Sequence, residues 1–147
     1  ACATTWPNRW GGASSAAGAV NPEAFELYLR ARQAWNLRSE DGFALAEELL
    51  NRSLAFDPNF APALTALADV WTARGVITRR LGPFGRINDP EFGRIESKIT
   101  QALALDPNSG EAHASLGFVR ELEWKLPEAE AELRRADWYR VRGQKKP

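Results

Sequence analysis

A six-residue block that occurs twice constrains the fold of this chain more than any other feature. Leu54-Ala55-Phe56-Asp57-Pro58-Asn59 returns 49 residues later, from Asp57 to Asp106, as Leu103-Ala104-Leu105-Asp106-Pro107-Asn108. Each copy is followed by a stretch rich in alanine and leucine. Because proline cannot continue a helix and restricts the residue before it, each block ends one helix and precedes another. The repeat predicts an array of stacked helical units.

Apolar residues spaced three and four apart predict helices from residue 21 onward. Asn21 is predicted to cap the first of them, with Pro22 at the first helical position. Six helices are predicted, from Pro22 to a break at Arg38, from about Phe43 to Phe56, from about Ala61 to Arg74, from Pro90 to Leu105, from about Gly110, and from about Leu126 to at least Ala136.

Some predicted helix ends rest on single residues. Gly75 is predicted to end the third helix in the left-handed conformation that glycine favours. Asn108 and Glu111 are predicted to form a capping box at the start of the fifth helix. The segment 76–88 contains Gly82-Pro83 and Gly85 and predicts a long loop. This loop accounts for most of the excess of the 49-residue offset over a 34-residue unit, from Asp57 to Asp106.

The repeated unit resembles the tetratricopeptide repeat (TPR) family. The resemblance rests on the Asp-Pro-Asn connectors, on Leu116-Gly117, and on small residues at Ala68, Ala102, Ala129 and Ala136. It implies an all-α fold, a helix-turn-helix solenoid of about three helix pairs over residues 21–136. The chain departs from the family at Ser53, where alanine is usual, at the 76–88 insertion, and at Asp137-Trp138-Tyr139-Arg140. More narrowly, it is similar to the repeat regions of some bacterial signalling regulators.

The segments on either side of the repeats differ from them in composition. Residues 1–20 are rich in Ala, Gly and Ser, carry one charge and hold Trp6 and Trp10. Such a segment cannot bury a core by itself, so we predict an extended arm that packs on something else. Residues 137–147 are predicted to be a basic tail, since 134–147 contain six basic side chains and one acid.

The start of the chain has two interpretations. The sequence contains no methionine and begins Ala1-Cys2-Ala3. Small residues surround signal-peptidase sites, so one interpretation is an exported, extracellular chain after removal of a signal peptide. The other is a cytoplasmic fragment of a longer protein.

Composition excludes several classes of function. Nineteen Lys and Arg balance nineteen Asp and Glu, so the broad positive charge of a nucleic-acid-binding protein is missing. One histidine and one cysteine cannot form a structural zinc site. No run of apolar residues is long enough for a membrane span. We find no set of residues typical of a catalytic or cofactor site, so we predict neither enzyme activity, nor a metal, nor a cofactor.

The remaining function is binding to protein. In the TPR family the first helix of each pair lines the concave side, so the resemblance implies a protein-binding face formed by Phe25, Tyr28, Arg32, Trp35, Thr65, Asp69, Phe118 and Glu121. Chaperone-binding members clamp a terminal carboxylate there with Lys and Asn, and this sequence does not have that clamp.

Two hypotheses follow for the partner. The first is self-assembly into a homo-oligomer or filament, through the solenoid ends and an assembly arm that carries Cys2, Trp6 and Trp10. The second is an adaptor or sensor domain of a larger bacterial regulator, which binds a peptide or protein in its groove.

Overall fold

The computed structural model describes residues 20–83 and 85–144, which fold into α-helices and short connections. The helices of this part of the chain are α1 (Pro22–Trp35), α2 (Glu40–Phe56), α3 (Ala61–Ile77), α4 (Pro90–Leu105), α5 (Gly110–Leu122) and α6 (Leu126–Gln144). The described residues contain no strand. The predicted all-α architecture of three helix pairs is confirmed, and the predicted N-terminal arm lies outside the described residues.

Two of the predicted helix starts are confirmed by their caps. The side chain of Asn21 accepts a hydrogen bond from the Ala24 amide at 3.0 Å. Asp89 accepts one from the Glu91 amide at 2.9 Å. In both helices proline follows the cap, where its missing N–H removes no helical hydrogen bond.

Two of the predicted boundaries are wrong. Helix α2 begins at Glu40, because Ser39 caps it by accepting from the Gly42 amide at 3.0 Å. Helix α3 continues through Gly75 to Ile77, since Gly75 is buried against Leu81 and a side chain there would overlap it.

The cap of α5 is also different from the prediction. Ser109 accepts a hydrogen bond from the Ala112 amide at 3.2 Å and is the N-cap, so Asn108 and Glu111 form no capping box. Ser39 and Ser109 each stand one residue before the helix that they cap. Glu111 therefore takes no part in this cap.

The helices form two layers. Each helix packs on the next one along the chain, which gives the pairs α1–α2, α3–α4 and α5–α6. In addition, α1 contacts α3 and α3 contacts α5, whereas within the described residues α2, α4 and α6 make no backbone approach to one another. The odd-numbered helices are therefore the crowded inner layer of a curved array, and their exposed side is the concave face.

The core runs through the whole array. Its largest fully buried side chains include Phe43, Leu50, Leu67, Ile95 and Ile99. Small residues allow helices to approach closely where pairs meet. Gly117 is the clearest case, because a Cβ atom placed on it would lie 2.8 Å from Leu133 Cγ of α6.

The last helix extends beyond the repeat region that the sequence predicts. Helix α6 continues to Gln144, so the first residues of the predicted basic tail are helical. Arg140 and Asp137 are joined there by a 2.8 Å ion pair on the exposed surface. No helix of the described chain combines the length and apolar character that a membrane span requires.

Candidate functional site

The concave face is built from one side of each odd-numbered helix. On α1, Tyr28, Arg32 and Trp35 are spaced four and three residues apart, which places them on one side of the helix. Asp69 lies on the corresponding side of α3. On α5 the same spacing relates Glu111, Ser115, Phe118 and Leu122. The contacts α1–α3 and α3–α5 bring these helices together. The resemblance to the TPR family predicts that they share a surface.

An ion pair crosses the middle of this face. The Arg32 guanidinium donates hydrogen bonds from Nη1 to Glu111 Oε1 at 2.9 Å and to the Tyr28 hydroxyl at 3.1 Å. The first bond joins α1 to α5 across α3. Both charged side chains are about half exposed, at 42% and 47%, so the pair contributes less than about 1 kcal/mol to stability.

Tyr28 and Phe25 belong to an aromatic cluster at one end of the groove. The Tyr28 ring packs edge-on against Phe60, with the ring centroids 5.4 Å apart, and Phe25 lies 6.3 Å from both rings. Burial is the main reason that the pKa of Tyr28 is raised to about 12. Tyr28 is buried, and its hydroxyl accepts the hydrogen bond from Arg32.

Asp69 occupies the centre of the groove. Its carboxylate accepts a hydrogen bond from the Ser115 side chain. Burial is the main reason that the pKa of Asp69 is raised to about 7, and repulsion by Glu111 also raises it. The Ser115 hydrogen bond and the weaker attraction of Arg32 act in the opposite direction. A carboxylate with this pKa changes its charge near neutral pH.

A pocket with a cavity volume of about 90 Å³, open to solvent, lies beside Asp69. Its lining residues come from the three odd-numbered helices and one even-numbered helix, and are Ala31, Arg32, Trp35, Leu50, Ala66, Asp69, Val70 and Glu111. The Trp35 ring packs against Phe43 with centroids 5.2 Å apart, and the Arg38 guanidinium lies 4.6 Å from the Trp35 ring centroid. The pocket thus has apolar walls and three charged groups.

The predicted binding residues differ in their exposure to solvent. Phe118 and Glu121 are exposed on α5. Thr65 is buried, and its hydroxyl donates to the Ala61 carbonyl at 3.3 Å. Cys2, Trp6 and Trp10, the residues of the predicted assembly arm, lie outside the described residues.

Sequence reasoning missed two members of the groove, Glu111 and Ser115. The sequence predicts Glu111 in the helix cap, whereas its hydrogen-bond partner in the structure is Arg32. The helical spacing of 111, 115 and 118 was the available signal, since it puts both residues on the side that Phe118 occupies.

His113 lies in the interface of the last helix pair. Its Nε2 donates to the Pro107 carbonyl oxygen at 2.9 Å, because a carbonyl oxygen can only accept, and its Nδ1 is 2.6 Å from Glu132 Oε2. The ring stacks on Tyr139 with centroids 5.4 Å apart. These contacts give His113 a packing role between α5 and α6. Among the residues that the structure describes, no three His, Cys, Asp or Glu side chains converge as a metal site would require.

Comparison with known proteins supports the fold. No family model matches the sequence, and no curated protein matches it either. Among solved structures, the second TPR domain of Spaghetti (RPAP3), bound to the HSP90 peptide SRMEEVD, is similar, with a TM-score of 0.61 and 20% sequence identity. The match covers 80% of this chain and 93% of that one. The chain therefore has the TPR fold, as its repeats indicated, whereas the likeness to bacterial regulators stays a prediction.

Proposed function

We propose that this chain is a non-catalytic protein–protein interaction module that binds a segment of its partner in the concave groove. The observation that carries the proposal is the groove itself, an open surface that three helices share and that combines apolar walls with a few fixed polar groups. Surfaces of this composition suit ligand recognition, since apolar contacts supply affinity and the polar groups fix orientation. The similar TPR domain was solved with a peptide bound.

The exposed aromatic residue of the groove supports the same proposal. Phe118 is 46% exposed on α5, on the side of the helix that Glu111 and Ser115 occupy. Aromatic side chains are the commonest centres of binding energy at protein interfaces. Phe118 could therefore anchor a partner that also reaches the pocket beside Asp69.

The proposal that the module is non-catalytic rests on how its reactive side chains are used. His113, the only histidine of the chain, is held between Glu132 and the Pro107 carbonyl inside a helix interface. Glu111 and Arg32 are paired with each other. These contacts give each group a structural role and leave none of the three poised beside a nucleophile.

Selection from a random peptide library displayed on phage tests groove binding. The test compares the wild-type chain with a groove variant, Glu111→Lys with Phe118→Ser, and with an outer-face variant, Glu48→Lys with Leu45→Ser. Glu48 and Leu45 are exposed on α2, so the two double variants change charge and apolar surface in the same way. We expect enriched peptides to bind the wild type and the outer-face variant and to lose at least tenfold in affinity for the groove variant. Equal binding to all three would contradict the proposal.

A second proposal concerns the surface of the last helix. Trp138 and Val141 are about half exposed and lie three residues apart on α6, with the Arg142 guanidinium 4.0 Å from the Trp138 ring centroid. Exposed apolar residues on a terminal helix suit contact with a neighbouring chain. We propose that this end of the solenoid, together with the arm at residues 1–20, assembles copies of the chain into an oligomer or filament.

Native mass tests self-assembly. Light scattering of the full chain is expected to give particles many times heavier than 16.3 kDa. Deleting residues 1–20, or making Trp138→Ala, should reduce the mass without changing the helical circular dichroism. Trp124→Ala, at an equally exposed tryptophan in the α5–α6 turn, is the control. A 16.3 kDa monomer in the wild type would refute assembly and favour the alternative of an adaptor or sensor domain.

A further inference from the structure

Asp69 is a carboxylate in an environment that favours a cationic neighbour. It lies in the groove beside a pocket whose walls are largely apolar. Its hydrogen-bond donor, Ser115, is neutral. Arg32, the nearest base, directs its Nη1 to Glu111 and Tyr28. Asp69 is half-buried, and a carboxylate withdrawn from water is unfavourable unless a charged or polar group compensates it.

The charges around the pocket add to this effect. Glu111 and Asp69 are two acids in the pocket lining, and Arg32 is the one base there. Arg32 is paired with Glu111, so Asp69 is the additional acid and the lining carries a net negative charge when Asp69 is ionised. A positively charged group placed between Asp69 and Glu111 would be attracted by both.

The walls of the pocket fit an unbranched alkyl stem. Trp35, Leu50 and Val70 line it and give it an apolar surface. Lysine and arginine side chains bury their methylene groups along such surfaces while their charged ends reach polar groups. The face of an indole ring also attracts cations, as the position of Arg38 at 4.6 Å from the Trp35 centroid illustrates.

We propose that this pocket receives a lysine or arginine side chain of the partner, with the alkyl stem against Trp35 and the cationic end between Asp69 and Glu111. The partner segment is then a basic peptide, opposite in charge to the acidic SRMEEVD of the similar domain. This proposal rests on the proposed function, because it names the chemistry that the groove recognises.

Pooled peptides with one fixed position test the proposal on the full chain. Fluorescein-labelled heptapeptides carry Lys, Arg, Leu or Glu at the central position and random uncharged residues elsewhere, and binding is followed by fluorescence anisotropy at pH 8. The Lys and Arg pools are expected to bind at least tenfold more tightly than the Leu and Glu pools. Asp69→Asn and Glu111→Gln should remove that preference, whereas Glu26→Gln, on an exposed position of α1, should keep it.

The pH dependence separates a direct role of Asp69 from a structural one. Because the pKa of Asp69 is about 7, its ionised fraction falls about tenfold between pH 8 and pH 6. Binding of the Lys and Arg pools should weaken by about the same factor in the wild type and should stay constant in Asp69→Asn.

Three results would contradict these proposals, and each overturns a different part. Tighter binding of the Leu or Glu pool would overturn the cationic pocket and leave groove binding intact. A Lys or Arg preference that survives Asp69→Asn would place the cation elsewhere and overturn the proposal. Failure of all four pools to bind would overturn both this proposal and the proposed function.

Discussion

Gly117→Ala tests the close packing of the last helix pair. Gly117 is buried in α5 against α6. A Cβ atom there would lie 2.8 Å and 2.9 Å from Leu133 Cγ and Cδ2, and 3.3 Å from the Ala129 carbonyl oxygen. Both distances to Leu133 are shorter than carbon atoms allow without a shift, so the added methyl group must displace Leu133 or the helix.

Two opposing effects determine how much Gly117→Ala changes the free energy of unfolding. Alanine favours a helix over glycine by about 0.5 to 1 kcal/mol. Overpacking a well-filled interface costs about 1 to 3 kcal/mol. We therefore expect Gly117→Ala to lower the free energy of unfolding by about 1 to 2 kcal/mol, the larger effect winning.

Gly93→Ala is the matched control. Gly93 lies in α4, is exposed, and an added Cβ would meet no atom within 4 Å. Only the helix-propensity effect applies there, so we expect a gain of about 0.5 kcal/mol or more. The free energies come from urea unfolding followed by circular dichroism at 222 nm, with the m-value checked for constancy.

The comparison has a clear contrary result. If Gly117→Ala stabilises the protein as much as Gly93→Ala does, then α5 and α6 do not approach each other as closely as they do in the structure. In a Leu133→Ala background the methyl group has room, so the loss caused by Gly117→Ala should disappear if Leu133 is the obstacle.

Three further predictions concern single contacts. The pKa of Asp69 in the folded protein, about 7, exceeds the ordinary 3.8. The free energy of unfolding should therefore fall by roughly 2 to 4 kcal/mol as the pH rises from about 4 to 8. Urea unfolding of Asp69→Asn should lack that decline. Glu111→Gln should lower stability by less than about 1 kcal/mol, and a double-mutant cycle with Arg32→Gln should give a coupling of the same small size; a larger coupling would contradict the exposed ion pair. His113→Ala should lower the free energy of unfolding by about 2 kcal/mol or more, since it removes two hydrogen bonds and the contact with Tyr139. An unchanged melting temperature would contradict that packing.

The sequence predicted the architecture because the repeat signals are local. Asn21 and Asp89 cap their helices with their own side chains, and each is followed by proline, so neighbouring residues determine both helix starts. The end of α3 depends instead on Leu81, which packs against Gly75 from the loop. A local pattern cannot report a contact of that kind, so the sequence predicts a helix terminus at Gly75.

The groove was predictable only in part. The resemblance to TPR proteins predicts that Arg32 and Asp69 share the concave face, and in the structure both line one pocket. The partner of Arg32 was not predictable, because Glu111 is 79 residues away and its own neighbourhood suggested a helix cap. The burial of Asp69 likewise depends on how α1, α3 and α5 pack around it.

A photo-crosslinker placed in the groove tests the central claim most directly. Benzoylphenylalanine would replace Phe118 on the concave face in one variant and Leu45 on the outer face of α2 in another, both exposed positions. Each variant is irradiated with a peptide enriched on the wild-type chain, and the products are identified by mass spectrometry. We expect a crosslink from position 118 and none from position 45. A crosslink from position 45 alone would place binding on the outer layer and contradict a groove-binding module.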